Sequence, residues 1–267
     1  MIRFAGTAFV LLLLTSPVFA KLEIKNIQAA HGPYGPERTS LEITPFDEIY
    51  FRFQLQGVKT DAEGKTDVEE TIKLTNSEGK TVFEKKGTVA KQLMLGGNAF
   101  TYQAYLTVST NPPAGEYTLT VTLRDKIANE TTSFDRKLTV KAPSFAILVP
   151  RFYRDPEGKI PSSAGGMVGE TLHFRLFCVG FDKKQKSVKT TMTVQVLDDK
   201  GNEVMPKPLI VKAELLSAEE VEKATKVTFN GAIFLNRPGD FKLRIVVEDL
   251  NGKQKTTFET PLKIVTP

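Results

Sequence analysis

The chain has 267 residues, of which 40% are hydrophobic and 25% charged, with a formal net charge of +5. One cysteine excludes an intramolecular disulfide framework, so any fold must rest on its apolar core. A basic excess of 36 Lys and Arg over 31 Asp and Glu is too mild and too dispersed for a nucleic-acid partner, which needs a concentrated basic face.

The chain opens with "MIRFAGTAFVLLLLTSPVFA", which reads as an export signal over residues 1–20. Arg3 supplies the positive start, Phe4 to Leu14 the apolar run, and Val18-Phe19-Ala20 a small-residue cleavage site. The run has 11 residues, where a membrane-spanning helix needs roughly 20. Cleavage after Ala20 leaves a chain expected in the periplasm or outside the cell, with no membrane span. No cysteine follows the cleavage point to take a lipid anchor. Removing Arg3 leaves 35 basic against 31 acidic residues, a net of +4. Residues 21–142 hold 16 of each sign, so the excess lies in the second half. Its densest run, "KKQKSVK" at 183–189, reads as a solvated hairpin tip.

After a first strand comes the loop "HGPYGPER" (31–38), rich in Gly and Pro, which presents Tyr34 and Arg38. In "DEIYFRFQLQGV" (47–58), Ile49, Phe51, Phe53 and Leu55 share one face, while Tyr50, Arg52 and Gln54 face away. That period of two marks a half-buried antiparallel strand. "DAEGKTD" (61–67) loosely resembles a calcium loop, but its counterpart "DKKQKSV" is basic, so a plain polar loop is expected. "NSEGK" (76–80), "DDKGN" (198–202) and "DLNGK" (249–253) are hairpin signals, with Gly and Asn expected at positive φ. "PAGEYTLTVTLRD" (113–125) turns inward Tyr117, Leu119, Val121 and Leu123, and Tyr117 fits a corner whose hydroxyl bonds the backbone upstream. "NET" (129–131) would accept a glycan only in a eukaryotic secretory pathway.

The second half repeats the first. "ETLHFRLFCVGF" (170–181) matches 47–58 at an offset of 123, and "RPGDFKLRIVVED" (237–249) matches 113–125 at 124. "TMTVQVLDDKGNEVM" (191–205) answers "TIKLTNSEGKTVF" (71–83), and "FETPLKI" (258–264) answers "FDRKLTV" (134–140). A period this long is a domain duplication, because solenoid repeats run 20–50 residues. The predicted fold is all-β: two tandem immunoglobulin-like antiparallel β-sandwich domains, 21–141 and 145–267, joined by a short linker at 142–144 and preceded by the cleaved signal. Cys178 falls in the inward slot that Leu55 fills, so it is expected to be a buried apolar residue. "SAEEVEKA" (217–224) carries a capping box, Ser217 with Glu220, and predicts one short helix.

The counterpart of the 31–38 loop is taken as "PRFYRDPEGKIP" (150–161), bearing Arg151, Phe152, Tyr153 and Arg154. Long ordered loops are where sandwiches carry function, so Tyr34, Arg38, Arg151, Phe152, Tyr153 and Arg154 are the candidate recognition residues. The competing expectation is that Tyr34 and Tyr153 simply pack over a domain end or the junction. His31 and His173 fall in different halves, and no serine sits in a glycine elbow. Asp125, Asp198, Asp199 and Asp249 adjoin turns and read as backbone caps. The sequence therefore predicts no enzyme, no cofactor and no metal ligand.

The "HGPYGPER" loop, the "FRF" strand and the paired "GEYTLTV" and "GDFKLRI" strands resemble a group of exported bacterial proteins built from two tandem immunoglobulin-like domains. The resemblance implies location and architecture and brings no catalytic residues. The leading expectation is a non-catalytic module of the periplasm or cell envelope that engages a protein or envelope component. One alternative is a two-domain chaperone-like protein using Arg151 and Arg154 in a basic cleft. The other is a glycan-binding module using Tyr34, Phe152 and Tyr153.

Overall fold

The structure is a computed structural model that describes residues 21–108 and 112–267; the predicted signal at 1–20 lies outside the described residues. The fold is all-β. Eight strands come first: β1 (Glu23–Ala30), β2 (Glu42–Ile43), β3 (Glu48–Gln56), β4 (Val68–Asn76), β5 (Thr81–Val89), β6 (Ala99–Thr107), β7 (Gly115–Asp125) and β8 (Glu130–Val140). They form a sheet of order β1-β3-β6 and another of order β2-β8-β7-β4-β5. Next come β9 (Ala146–Tyr153), β10 (Pro161–Ser162), β11 (Gly165–Met167), β12 (Thr171–Val179), β13 (Val188–Leu197) and β14 (Leu209–Leu215). A short helix, α1 (Ala218–Lys223), precedes β15 (Val227–Phe234), β16 (Gly239–Asp249) and β17 (Gln254–Val265). These strands form sheets of order β10-β9-β12-β15 and β11-β17-β16-β13-β14. Pairing is antiparallel except between β2 and β8 and between β11 and β17.

The period of two explains the layering. Ile49, Phe51, Phe53 and Leu55 are each no more than 1% exposed, and their counterparts Leu172, Phe174, Leu176 and Cys178 are also buried. Each fully buried side chain of this size contributes about 1.5–3 kcal/mol. One apolar cluster draws on residues from Leu22 to Val140, and a second runs from Phe152 to Ile264. Phe134 sits edge-on to Phe51 and Phe53, with ring centroids 5.9 and 5.5 Å away. Tyr50 departs from expectation. It faces out of the first cluster, yet it is buried, because Tyr105 stacks on it at 5.3 Å.

Two predicted corners are built as the residues suggested. The Tyr117 hydroxyl donates to the Pro113 carbonyl at 2.8 Å, and Ser217 accepts from the Glu220 amide at the start of α1. One turn is not. At 249–253 the positive φ falls on Lys253 (51°), as it falls on Asn129 (56°) in the first half. Gly252 serves a different need: a Cβ there would come within 2.5 Å of the Asp249 carboxylate.

Cys178 is fully buried, and burial, followed by the nearby Asp249 charge, pushes its thiol up to about 12. A thiol so held is a poor nucleophile. Native protein should therefore react with a disulfide reagent only after denaturant is added; prompt labelling of the native chain would contradict this packing.

Between the two sets of sheets lies a third small cluster of Leu148, Val149 and Val179, with Phe46 packed on it from the first half. Val149 (φ 51°) and Phe46 (φ 70°) both occupy the left-handed region there. A β-branched residue in that region is a true outlier, tolerated only where packing enforces it. Gly180 (φ 70°) is required for the same approach, since a Cβ would come within 2.2 Å of the Ser144 carbonyl oxygen.

Candidate functional site

The six predicted recognition residues do not form a loop-borne surface. Arg151, Phe152 and Tyr153 lie in β9, paired with Arg175, Phe174 and His173 of β12, so they are strand residues. Phe152 is 2% exposed within the second core and Tyr153 is 7% exposed. The counterpart of the 31–36 loop is 154–160 and not the whole of 150–161. His31 N donates to Pro36 O, and Arg154 N donates to Ile160 O in the same way. Only Tyr34 stands out, at 52% exposure, so the aromatic platform a sugar would need is missing from this region.

The arginines are engaged within the fold. Arg38 is buried; its guanidinium donates to Asp47 at 2.7 Å and to the carbonyls of Ser40, Glu42 and Glu48. It thereby clamps the 38–48 segment. Burial raises the Asp47 pKa, and the Arg38 charge works against that rise. Arg151 pairs with Glu48 across the junction and reaches the Tyr50 hydroxyl at 3.4 Å. Burial works against the Arg151 charge, but Glu48 and Tyr50 outweigh it and its pKa rises. Arg154 pairs with Glu170. Each of these two arginines thus has an acidic partner, and Arg151 lines the junction cleft together with Lys159. His31 is held neutral: burial, followed by the Arg38 charge, lowers its pKa to about 4, and its ring meets Phe258 edge-on at 5.5 Å. One junction cleft, of about 210 Å³, lies between Tyr34 and the β9–β10 turn, and another, of about 270 Å³, lies between Arg38 and the 146–149 stretch of β9. Asp61, in the calcium-like loop, accepts from the Glu63 and Lys65 amides as a turn cap.

A different feature is built twice. A cleft of about 380 Å³ opens between the two sheets of the second half, lined by Val196, Ile233, Leu235, Phe241 and Ile264. A cleft of about 220 Å³ in the first half is lined by Leu74, Leu106, Val108, Tyr117 and Val140. The strand registers make these residues equivalent, one for one. Leu74 faces Leu119 as Val196 faces Leu243, and Gly115 faces Val140 as Gly239 faces Ile264. The sheet orders leave β5 and β6 as edge strands beside the smaller cleft, and β14 and β15 beside the larger.

The two clefts differ for a local reason. Tyr117 ties its corner down through Pro113, whereas Phe241 has no hydroxyl and instead lies under the Arg237 guanidinium at 5.2 Å. The rims differ in their edge strands. On the larger cleft Phe234 is 62% exposed, and β14 begins with the uncharged run Leu209-Ile210-Val211, of which Leu209 lines the cleft while Ile210 lies on the opposite, exposed face. The smaller cleft has Val82 and Phe83 of β5 at its rim. The matching edge β5 carries Glu84, Lys85 and Lys86, the kind of charge that discourages strand addition. Sequence reading missed these clefts, because no single stretch of chain contains one. Aligning the two halves and asking which inward positions lie next to an edge would have found them.

No family model matches this chain, and no curated protein matches it. It is similar to red sea bream transglutaminase at 11% identity, covering 91% of this chain and 31% of that one, with a TM-score of 0.28. It is similar to dimeric latent PorU from Porphyromonas gingivalis at 13% identity, covering 96% and 21%, with a TM-score of 0.39. The C-terminal domain of the antigen I/II-family protein AspA from Streptococcus pyogenes is 9% identical, covered 91% and 100%, with a TM-score of 0.32. The chain thus spans about a third of the transglutaminase and about a fifth of PorU. At these scores the likeness is one of all-β layering.

Proposed function

We propose that the protein is an exported, non-catalytic binding module of the periplasm or cell envelope. In this reading a cleaved signal at 1–20 is followed by two tandem immunoglobulin-like β-sandwich domains, 21–141 and 145–267, joined through 142–144. The partner is a protein that offers an extended apolar segment. It lies along an edge strand and drops alternate side chains into the cleft between the sheets, as in strand addition. The observation that carries this reading is the repetition of one apolar cleft at equivalent positions, each flanked by unpaired edges. The larger cleft, rimmed by Phe234 and Leu209 beside an uncharged edge, is the stronger of the two.

A photo-crosslinking residue at Phe234 or Leu209, introduced in the producing cell, should capture one discrete protein species. The same residue at the exposed Lys137 of β8 should capture none. Phe234→Asp should abolish the capture made from position 209 while leaving the thermal unfolding profile unchanged. Equal labelling from 137 and 234, or none from either, would overturn the assignment.

A further inference from the structure

The two left-handed residues at the junction, Val149 and Phe46, each have a counterpart in the other half. In the bulge of β9, Val149 (φ 51°) follows Leu148, which pairs with Phe177; in the bulge of β1, Asn26 (φ 54°) follows Lys25, which pairs with Gln54. Phe177 and Gln54 match in the repeat, so the two bulges are equivalent. The other position lies in a turn. Asp47 N donates to Thr44 O and Val108 N to Asp47 O, as Glu170 N donates to Met167 O and Leu235 N to Glu170 O. The third residue of that turn is Phe46 (φ 70°) in one half and Gly169 (φ 96°) in the other. The fold thus demands left-handed backbone at both positions in both halves. Asn26 and Gly169 adopt it readily, whereas Val149 and Phe46 do so under strain.

The strained choices are the ones that meet each other. Val149 is 4% exposed in the cluster with Leu148 and Val179, and Phe46 packs on that cluster from the first half. By the same registers, Leu148, Val149 and Val179 correspond to Lys25, Asn26 and Gln56, of which the first two are exposed and the third half-buried. Gly169, the counterpart of Phe46, is exposed as well. All four positions therefore turn apolar where the halves touch and are polar or glycine where they do not. Strained backbone persists only where its surroundings over-determine it. Each half shows that the fold closes without these side chains, so the contact between the halves is what selects them.

We propose that Phe46 and Val149 lock the junction: they hold the two halves in one relative orientation, and their packing across it outweighs the left-handed backbone each must adopt. Without such a lock, movement of one domain against the other is the rule. The Arg151–Glu48 pair crosses the same junction but is partly exposed, and ion pairs of that kind contribute little alone. The inference rests on the reading of the halves as two domains. It also bears on the two clefts, because a fixed junction presents them at one spacing and a partner that reaches both meets no ordering cost there.

The buried Cys178 makes a clean test possible, because cysteines introduced at the exposed Lys137 and Lys212 are then the only reactive thiols. In the full chain, spin labels at these two positions should report one narrow distance distribution. Phe46→Gly combined with Val149→Asn installs the residues of the opposite half and should broaden that distribution to roughly twice its width. Thermal unfolding tests the strain separately. Phe46→Gly should melt about 4 °C above Phe46→Ala, although both lose the same ring, because only glycine escapes the left-handed penalty. Val149→Asn should exceed Val149→Ala in the same sense. Alanine melting at or above glycine would mean that the backbone carries no strain there, and an unbroadened distribution in the double variant would mean that other contacts set the orientation. Either result overturns the lock while leaving two domains in place. A single transition moved equally by destabilising either half would instead remove the two-domain reading, and the lock with it.

Discussion

Replacing Asp125 with alanine should destabilise the first half selectively, and Asp249→Ala should do the same to the second. The two carboxylates are equivalent, and both are at most 1% exposed. Asp125 accepts from the amides of Lys59, Ile127 and Ala128 at 2.7, 2.9 and 3.1 Å. Asp249 accepts from Asp182 and Asn251 at 2.7 and 3.1 Å. Each therefore ties the chain leaving β3 or β12 to the hairpin that closes β7–β8 or β16–β17. Removing it leaves two or three part-buried amides without their charged acceptor, at a combined cost of about 3 kcal/mol. In a domain of roughly 120 residues that is a large share of the typical 5–15 kcal/mol and lowers the melting temperature by about 10 °C. Asp125→Asn keeps a carbonyl acceptor and should cost about half as much. Calorimetry should resolve two transitions, with Asp125→Ala moving only one and Asp249→Ala only the other. A single transition moved equally by both would contradict the two-domain proposal.

These aspartates also mark where sequence reading reaches its limit. Their position beside turns was legible, and so was a capping role. Their bonds to Lys59 and Asp182, more than sixty residues away in the chain, were not, since nothing local encodes them. The strands and both cores were legible because burial alternates with the pleat, residue by residue. Phe152 and Tyr153 were misread for the complementary reason. A bulge at Val149–Pro150 shifts the β9 register between Leu148 and Arg151, which breaks the alternation in the one place where proline also suggested a loop. The clefts depend on what the end of β15 brings to the start of β14, a relation of tertiary structure alone. Glu70 could have been found. In "VEETIKL" it shares the inward face with Val68, Ile72 and Leu74, and a charged residue in that slot is a warning that requires no coordinates.

Glu70→Met should raise the stability of the first half at neutral pH, where most core substitutions would lower it. The side chain is 6% exposed, and its Oε1 has no hydrogen-bond partner. The strand registers place it opposite Leu123 as Met192 is placed opposite Val247, so the second half already carries the apolar solution at this position, fully buried. Burial raises the Glu70 pKa, and the Tyr102 hydrogen bond and the Lys85 charge only partly oppose it. The sign of the pH dependence follows from that direction. The native state keeps the Glu70 proton to a higher pH than the unfolded chain, whose glutamates titrate near about 4.3. The stability this group allows is present below that unfolded value and is lost as pH rises through the raised native one. Above it, an incompletely paired carboxylate is held in a core. Met removes that burden and should gain about 1–3 kcal/mol at neutral pH, with a smaller gain in acid. Gln, which retains an acceptor for Tyr102, should gain less but flatten the same pH slope. Thermal unfolding of the three proteins on either side of the native titration distinguishes the cases. A Met variant that melts below the parent at neutral pH would mean that Tyr102 and Lys85 compensate the carboxylate fully. Glu70 would then be a structural member of the core, and the equivalence with Met192 one of position alone.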